Sequence, residues 1–289
     1  MWNALTVDVE DYFHTEAMTQ VAPRDRWSKM DLHVEKNTWK LLELFDRHGV
    51  RATMFFLGWI AARCPGLVTA AVAAGHEVAC HSYWHRPVCQ LTPDEFRADT
   101  LQAKEIIEAA AGVEVVGYRA PSFSILKGMD WATDILTDLG FLYSSSCHPI
   151  RHDLFNNPTA PRAPYFTRSG LLEIPITTWR LFGRNLPVGG GAYLRILPFS
   201  YLKAGWKENA DSRVAMMLYL HPWEIDDKQP RLPANLKSRL RQYMGLKGMA
   251  ARLEWLFSAY SFTSAREAFA VGSALPKLTS PHSLQPVIV

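Results

Sequence analysis

The stretch Ala4-Leu5-Thr6-Val7-Asp8-Val9-Glu10-Asp11 begins as an apolar run and ends in three carboxylates. A largely apolar run of this kind is typical of a strand that helices cover in a parallel sheet. Burying three carboxylates beside it without a cation is costly, because each loses its hydration. We therefore predict a buried strand whose end contributes acidic groups to a functional site. The alternative is a solvated strand end, with Asp11 capping the next segment of the chain.

A second apolar run, Val78-Ala79-Cys80, leads to His81, and His85 follows with the spacing H-x-x-x-H. Alone this pair is a weak signal, since a core histidine with satisfied hydrogen bonds gives the same pattern. Its position after a strand strengthens the prediction, because β/α barrels build their active sites where the carboxyl ends of parallel strands meet. Two neutral imidazoles and one carboxylate suit Zn²⁺ and similar divalent ions.

Two later apolar runs also end in polar side chains. Val115-Val116-Gly117-Tyr118 precedes Arg119, and the run of residues 214–220 precedes His221. An arginine at this edge can orient a carboxylate, and a histidine there can protonate a leaving group. Either residue alone is better explained as structural, but four polar clusters at four strand ends indicate one active site.

The chain alternates strand-like and helix-like segments, which is the pattern of an α/β fold. We predict a distorted (β/α) barrel of about seven parallel strands. Residues 92–95 form a capping box that opens one of the helices. The predicted strands are residues 5–9, 52–57, 77–81, 115–119, 141–144, 172–176 and 214–220, and the predicted helices are 35–48, 93–111, 128–139, 200–209 and 234–255.

We predict a single domain over residues 1–271, with a C-terminal helical extension from about residue 226. Residues 148–198 break the rhythm with repeated prolines and a run of three glycines. We interpret them as long loops around one strand, which either shape a substrate groove or only connect elements. Residues 272–289 lack periodicity and are predicted to be a disordered tail.

Composition narrows the function. The 289 residues include 31 basic and 28 acidic side chains, a balance that argues against a nucleic-acid partner. The 10 Trp and 10 Tyr suit stacking on sugar rings, although ordinary core packing explains them better. We find no secretory signal and no integral membrane segment, and we expect the four cysteines to be free thiols. These features predict a cytoplasmic protein.

A basic region in the last predicted long helix suggests an alternative location. Such a region can contact anionic lipid and hold a protein peripherally at the inner membrane face. A solvated helix face explains the same pattern better. The basic residues are Lys237, Arg239, Arg241, Lys247 and Arg252.

The order of these motifs resembles that of the polysaccharide deacetylases of the NodB-homology type, carbohydrate esterase family 4. That family has an aspartate pair on the first strand, then H-S/T-x-x-H, R-x-P, a hydrophobic wall segment and a late L-H. The resemblance covers about residues 4–225. The matching segments are Asp8-Val9-Glu10, His81-Ser82-Tyr83-Trp84-His85, Arg119-Ala120-Pro121, Gly140-Phe141-Leu142-Tyr143-Ser144 and Leu220-His221.

Three further phrases, at residues 7–14, 187–191 and 221–224, resemble a bacterial subgroup associated with exosortase-linked exopolysaccharide loci. This resemblance implies work on glycans under construction. The expected partner is an N-acetylated glycan or a lipid-linked glycan precursor.

The family resemblance implies one divalent metal ion, most suitably zinc, bound by Glu10, His81 and His85. This sequence departs from the common pattern because Val9 separates the first aspartate from the next acid. Positions two apart on a strand share a face, so Asp8 and Glu10 can point into one site. Asp11 is the alternative carboxylate ligand if the strand turns sharply.

The resemblance also implies catalytic roles. Asp8 is expected to be the base, His221 the acid that protonates the departing amine, and Arg119 the partner of Asp8. A backbone N–H near Tyr143 is expected to help stabilise the oxyanion. Pro121, Tyr143 and Trp223 are assigned to substrate binding.

The implied reaction is metal-dependent removal of N-acetyl groups from hexosamine units of a polysaccharide or glycan precursor. One alternative is an amidohydrolase acting on a small cyclic amide, which would need a closed pocket in place of an open groove lined with aromatic side chains. A second is an O-deacetylase, which would need less help from His221. The third is an inactive glycan-binding module, against which the intact Asp8, His81, His85 and His221 argue.

Overall fold

In the computed structural model, which describes residues 1–152 and 157–272, a curled nine-stranded sheet forms the centre of the fold. All seven predicted strands are present, with ends that differ by a few residues. The predicted tail lies outside the described residues, apart from Gly272. The strands are β1 (Asn3–Val9), β2 (Thr53–Phe56), β3 (Glu77–Cys80), β4 (Gly117–Tyr118), β5 (Tyr143–Ser144), β6 (Tyr165–Phe166), β7 (Leu172–Glu173), β8 (Thr178–Leu181), β9 (Arg184–Pro187), β10 (Met217–Leu220) and β11 (Phe262–Thr263).

The strand order confirms the predicted barrel. Neighbouring strands run β10-β1-β2-β3-β4-β5-β7-β6, and β11 also pairs with β1. Every one of these pairs is parallel except β6 with β7. Because β11 returns to the sheet, the segment after residue 226 is not purely the helical extension that we predicted.

Alternation along the strands decides which side chains enter the barrel. On β1, Leu5, Val7 and Val9 belong to the large apolar cluster under the helices, whereas Ala4 belongs to a smaller interior cluster. Since side chains alternate along a strand, Asp8 shares the interior face with Ala4. By the same rule, the side chain of His81 lies on the interior face that continues β3, and that of His221 lies on the interior face that continues β10.

Backbone hydrogen bonds between β10 and the segment that follows β7 close the barrel. The Thr177 N–H donates to the Met217 carbonyl at 3.1 Å. Farther along, Tyr219 N–H donates to Gly189 O at 2.9 Å and Gly191 N–H donates to Tyr219 O at 3.0 Å. Gly190 lies so close that a Cβ there would be 1.9 Å from the Tyr219 carbonyl oxygen. This seam fixes β10 just before His221.

Helices cover the outer face of the sheet. The predicted capping box is present: the Thr92 side chain accepts from Glu95 N–H, and the Glu95 carboxylate accepts from Thr92 N–H. Among residues 1–152 and 157–272, no helix is both long and apolar enough to cross a bilayer. The helices are α1 (Val34–His48), α2 (Gly58–Arg63), α3 (Pro65–Ala73), α4 (Pro93–Ala111), α5 (Asp130–Asp138), α6 (Ala192–Ile196), α7 (Phe199–Asp211), α8 (Leu236–Tyr243), α9 (Met249–Ala259) and α10 (Ala265–Ala268).

The single helix predicted over residues 234–255 is wrong, because two helices, α8 and α9, occupy that segment. Gly245 separates them with a φ of +79°, a conformation that favours glycine. A Cβ at Gly245 would lie 2.3 Å from the Arg195 carbonyl oxygen. A close tertiary approach therefore interrupts a segment whose local pattern is helical throughout.

Residues 178–187, predicted as loop, form the antiparallel hairpin of β8 and β9. Its turn residues Phe182 and Gly183 both have positive φ, at 49° and 72°. Such two-residue turns usually begin with Asn, Asp or Gly. Because Phe182 occupies this position, the sequence does not predict the hairpin.

We expect Gly190→Ala to lower the free energy of unfolding by about 3 kcal/mol or more, since the new methyl group would overlap the Tyr219 carbonyl. Thermal or urea unfolding measures this change. Gly66→Ala is the matched control: Gly66 lies in α3 with nothing within 4 Å of its Cβ position, so this variant should be unchanged or more stable by up to about 1 kcal/mol. Equal stability of the two variants would contradict the proposed role of the seam.

Candidate metal centre and active site

Three predicted metal ligands meet at the carboxyl edge of the sheet. Glu10, His81 and His85 are buried, and one ligand atom from each lies within 4.8 Å of the others. Glu10 Oε2 is 2.9 Å from His85 Nε2. The structure therefore brings together the carboxylate and both imidazoles of the sequence prediction.

The donor atoms of this cluster fit a divalent cation. Glu10 Oε2 is buried and has no hydrogen-bond partner, although His85 Nε2 is close to it. The His81 Nδ1–H donates a hydrogen bond to the Arg119 carbonyl at 2.8 Å. This leaves Nε2 unprotonated, with a lone pair that can bind a metal ion. Burial lowers the pKa of His81 to about 4, so its ring is neutral. Burial opposes ionisation of Glu10, but His85, His221 and His81 hold its pKa below the usual value.

A strained loop positions His85. Ser82 and His85 both have positive φ, at 61° and 50°, which side-chain-bearing residues rarely adopt. The Asp99 carboxylate accepts from the N–H groups of Tyr83 and Trp84, at 2.8 and 3.1 Å. Ser82 Oγ accepts from the His85 N–H at 3.1 Å. These hydrogen bonds hold the loop in the conformation that returns His85 to His81.

Asp11 lies outside the ligand cluster. Its Oδ2 accepts from the N–H groups of His33 and Val34, at 2.6 and 2.8 Å, and its Oδ1 accepts from Tyr12 N–H. The first two are free N–H groups at the start of α1, and a buried carboxylate satisfies them as a helix cap does. The structure therefore supports the capping role of Asp11 that the alternative interpretation included, but the strand end itself is buried and not solvated.

Asp8 is held by Arg119. The Arg119 Nη1 donates to Asp8 Oδ1 at 2.7 Å and to Thr6 Oγ1 at 2.7 Å. Its Nε and Nη2 donate to the carbonyl and hydroxyl oxygens of Ser145. Asp8 Oδ2 faces the site, 3.8 Å from His221 Nε2. One carboxylate oxygen is thus anchored while the other is directed at the predicted acid.

His221 lies next to both Asp8 and Glu10. Its Nδ1 is 3.2 Å from Glu224 Oε2, and its Nε2 is 3.7 Å from Glu10 Oε1. Burial alone would lower the pKa of His221, but Glu224, Glu10 and Asp8 raise it to about 9. Arg195 in turn donates to Glu224 Oε1 at 2.6 Å, and both side chains are fully buried. The ring is therefore protonated at neutral pH.

A cavity of about 460 Å³ opens beside these residues, a size typical of ligand pockets. Asp8, Glu10, His81, His85 and His221 line its polar end. Four aromatic side chains add flat surfaces to its wall, and these are Phe123, Tyr193, Tyr219 and Trp223.

Two residues assigned to substrate binding lie elsewhere than expected. Tyr143 is completely buried, and its hydroxyl donates to Glu77 Oε1 at 2.9 Å, at the start of β3 and far from that strand's carboxyl end. The Tyr143 N–H is paired with the Val116 carbonyl. The prediction of a substrate contact at Tyr143 is therefore wrong, and the N–H of Tyr143 itself is not free for an oxyanion. An oxyanion donor from another backbone N–H near Tyr143 stays a prediction. Pro121 is buried, while its neighbours Ala120 and Ser122 line the cavity.

Trp223 lines the cavity as predicted and stacks on His221, with ring centroids 5.1 Å apart at 21°. Sequence reasoning missed Glu224 and Arg195. The spacing from His221 to Glu224 was the available signal, since a residue three positions on can pair with a strand-end group. Nothing near Arg195 in the sequence indicates that it supports a histidine from a distant strand.

Comparison with known proteins identifies two matching segments of the chain. Residues 25–143 match the family model "Polysaccharide deacetylase". This segment of the chain is therefore a polysaccharide deacetylase domain. Residues 145–270 match a second model, "Domain of unknown function (DUF3473)". His221 and Glu224 lie in this second segment, and His81, His85 and Arg119 lie in the first, so both segments contribute to one site.

Two curated relatives each align with a third of this chain. A peptidoglycan-N-acetylglucosamine deacetylase of Bacillus cereus is 33% identical over 96 residues, which are 33% of this chain and 35% of that protein. A chitooligosaccharide deacetylase of Bradyrhizobium is 30% identical over 96 residues, 33% of this chain and 42% of that protein. The alignments thus span less than half of either relative.

Solved structures share the fold over nearly the whole chain. A Mycobacterium smegmatis protein, provisionally described as a polysaccharide deacetylase, has a TM-score of 0.59 at 20% identity and covers 97% of this chain and 94% of its own. A pseudoenzyme of carbohydrate esterase family 4 from Bacillus anthracis has a TM-score of 0.50 at 16% identity, covering 92% of this chain and 64% of its own. The fold of this chain is therefore shared with a pseudoenzyme as well as with a protein described as a deacetylase.

We expect the double variant His81→Ala, His85→Ala to lose its divalent metal, because two of the three ligands disappear. Glu10→Gln should weaken metal binding by at least about 10- to 100-fold, because removal of a group that only supports a metal ligand already has an effect of that size. Elemental analysis after loading with zinc and dialysis measures the metal content. Full metal content in the double variant would contradict the site.

Asp11→Asn is the matched control for Glu10→Gln, since each removes one buried carboxylate. It should keep the metal but lower the free energy of unfolding by about 1–3 kcal/mol, because the start of α1 loses a charged acceptor. Loss of metal in Asp11→Asn with full binding in Glu10→Gln would move the carboxylate ligand to Asp11.

Proposed function

We propose that this chain is a metal-dependent hydrolase that removes N-acetyl groups from hexosamine units of a polysaccharide or glycan precursor. The observation that carries the proposal is one buried cluster at the barrel edge. In it, the carboxylate and two imidazoles of Glu10, His81 and His85 lie beside Asp8 and His221, whose side chains approach each other to 3.8 Å. This set contains a ligand group, a base and an acid within reach of a common point.

The choice of substrate draws on the relatives and on the cavity. The names of the two curated relatives describe deacetylases of peptidoglycan N-acetylglucosamine and of chitooligosaccharides. The rings of Phe123, Tyr193, Tyr219 and Trp223 offer apolar surfaces on which sugar faces can pack. A glycan with N-acetyl groups is therefore the proposed substrate class.

A divalent ion held by Glu10, His81 and His85 would supply Lewis acidity toward the acetyl carbonyl and the attacking water. Zinc is the proposed ion, since one carboxylate and two imidazoles are a common catalytic set for it. The residues themselves orient the substrate and move protons. Asp8 Oδ2 is positioned to take the proton of the attacking water, because Asp8 Oδ1 is anchored by Arg119.

His221 is the proposed acid. Its Nδ1 pairs with Glu224, so the proton on Nε2 faces Glu10, Asp8 and the cavity. An amine is a poor leaving group until it is protonated, and a ring with a pKa of about 9 carries that proton at neutral pH. Glu224 and Arg195 keep this charge stable in a buried place.

We further propose that the glycan is an exopolysaccharide under construction and that the chain works in the cytoplasm. The phrases at residues 7–14, 187–191 and 221–224 support the first part through their resemblance to the exosortase-linked subgroup. All four cysteines are free thiols, which supports a reducing compartment. The shared cluster also supports treating residues 1–271 as one catalytic domain.

Acetate release from N-acetylglucosamine oligomers, measured with and without added zinc, tests this proposal. Release that depends on the metal is the expected result. Bound metal and bound oligomer with no acetate would identify an inactive glycan-binding module. Turnover only of O-acetylated sugars or of small cyclic amides would identify the corresponding alternative hydrolase.

We expect Asp8→Asn to keep its metal and lose turnover by about two to four orders of magnitude, which is the usual contribution of a general base. Steady-state kinetics and metal analysis on the same sample separate the two effects. Wild-type turnover in Asp8→Asn would mean that the base lies elsewhere.

We expect the deacetylation rate to fall as the pH rises through the pKa of His221, because the protonated acid disappears. Glu224→Gln removes the anion that raises this pKa, so the alkaline limb should move to lower pH by about 1–3 units. His221→Ala should lose the limb altogether, and should damage amide hydrolysis far more than hydrolysis of an activated acetyl ester.

The matched control for Glu224→Gln is Asp226→Asn. Asp226 is also buried, but it pairs with His33 and Lys36 and does not contact His221. The alkaline limb of the pH–rate profile of Asp226→Asn should stay at the wild-type pH. If His221→Ala loses amide and ester hydrolysis equally with the limb intact, His221 supports binding or structure and the acid is another group.

A further inference from the structure

Helix α8 presents an apolar stripe to the outside of the molecule. Leu236 is 70% exposed, Leu240 is 49% exposed and Met244, just after the helix, is 42% exposed. Positions four apart lie one above the other on a helix surface. Single exposed apolar residues are ordinary, but an aligned row of three is a surface that another molecule can cover.

The same segment is strongly basic. Residues 228–253 contain seven Lys and Arg side chains and no Asp or Glu, although the whole chain has a net charge of only +3. Lys237, Arg239 and Lys247 are exposed beside the apolar row. The seven cations are Lys228, Arg231, Lys237, Arg239, Arg241, Lys247 and Arg252.

The fold keeps this stripe outside. Gln242, on the opposite side of α8, and Tyr243, the last residue of the helix, are both buried. The Gln242 Nε2 donates to the Tyr12 carbonyl at 3.1 Å, and Tyr243 Oη accepts from the Leu232 N–H at 2.8 Å. Turning the leucines inward would break these buried hydrogen bonds, so their exposure is imposed by the structure.

We propose that the α8 face, formed by Leu236, Leu240 and Met244 with Lys237 and Arg239, docks on an anionic phospholipid bilayer. Leucines of such a face insert at the boundary of headgroups and acyl chains, while the cations contact the phosphates. Both parts of the surface then have a partner of matching chemistry. Docking itself does not depend on the proposed activity; only its use in presenting substrate does.

Other occupants match the face less well. In a two-fold dimer through α8, each copy would bring its own cations toward those of the other, with no acidic side chain in the segment to pair with them. A nucleic acid would pair with the cations but offer the leucines only a phosphate backbone. An anionic bilayer satisfies both features at once.

The α8 face adjoins the mouth of the cavity. Arg241 and Gln242 of α8 line it, as do Ile196 and Leu197. The buried Arg195 donates to the carbonyls of Arg241, Gln242 and Met244 and also to Glu224, the partner of His221. A bilayer bound at α8 would therefore lie at a fixed position relative to the catalytic cluster, where a glycan attached to a lipid can reach it.

Vesicle flotation with the full chain tests the docking. The chain should float with vesicles of phosphatidylglycerol and phosphatidylcholine in equal parts, and stay behind with phosphatidylcholine alone. Lys237→Gln with Arg239→Gln should weaken binding about 25-fold, since each cation near such a surface contributes about five-fold. Leu236→Ser with Leu240→Ser should weaken it about ten-fold or more. Raising the salt from about 0.1 M to about 1 M should release the chain.

Matched controls lie on other helices. Lys40→Gln with Arg47→Gln removes two exposed cations from α1, and Leu101→Ser with Val113→Ser alters two exposed apolar residues at α4 and just beyond its end. Both should bind vesicles like the wild type. All α8 variants should keep acetate release from soluble oligomers, because the changed residues lie outside the catalytic cluster.

Failure of the wild type to float, or flotation that α8 variants leave unchanged, overturns the docking proposal. A concentration-dependent dimer that the leucine variants abolish, with no vesicle binding, assigns the face to a second copy and also overturns it. Vesicle binding without any acetate release would instead refute the proposed activity and leave the docking intact.

Discussion

The buried guanidinium of Arg119 is the interaction on which the site depends. It joins β1 to the segment after β5 by donating to Thr6, Asp8 and Ser145, while its own carbonyl accepts from His81. A buried cation is tolerated only when its hydrogen bonds are satisfied, and the Asp8 carboxylate supplies the opposite charge. The proposed base and one proposed metal ligand are therefore positioned by the same residue. Displacing Arg119 would misplace both, which makes the barrel edge a single rigid unit.

A second set of buried charged side chains approaches the site from the C-terminal half of the chain. Arg195, Glu224 and His221 run from α6 to the end of β10, and the seam at Gly190 and Tyr219 holds β10 in place. The two segments matched by separate family models meet in this way at one cavity. Neither segment alone contains both the imidazole pair and His221. The segment of unassigned function thus supplies the charge network that keeps the proposed acid protonated.

Arg195 also links the interior chemistry to the surface. The same guanidinium that pairs with Glu224 donates to the carbonyls at the end of α8. Two side chains, Arg195 and Glu224, consequently connect the end of α8 to the proposed acid His221. The carbonyl groups at the end of α8 accept hydrogen bonds from the buried guanidinium of Arg195. Unwinding of this helix end would leave the guanidinium without these partners, so the apolar stripe keeps its position beside the cavity.

The α/β barrel, its seven parallel strands and most residues of the candidate site could be predicted from local sequence patterns alone. Apolar runs mark buried strands, and the alternation of side chains sends Asp8 into the same interior as His81 and His221. The preference for Glu10 over Asp11 as the proposed ligand needs the folded chain, because it depends on where the start of α1 lies. The tertiary structure also removed Tyr143 from the site, divided the basic helix at Gly245 and revealed the Arg195–Glu224 chain. Each of these depends on contacts between residues far apart in the chain, which local patterns do not encode.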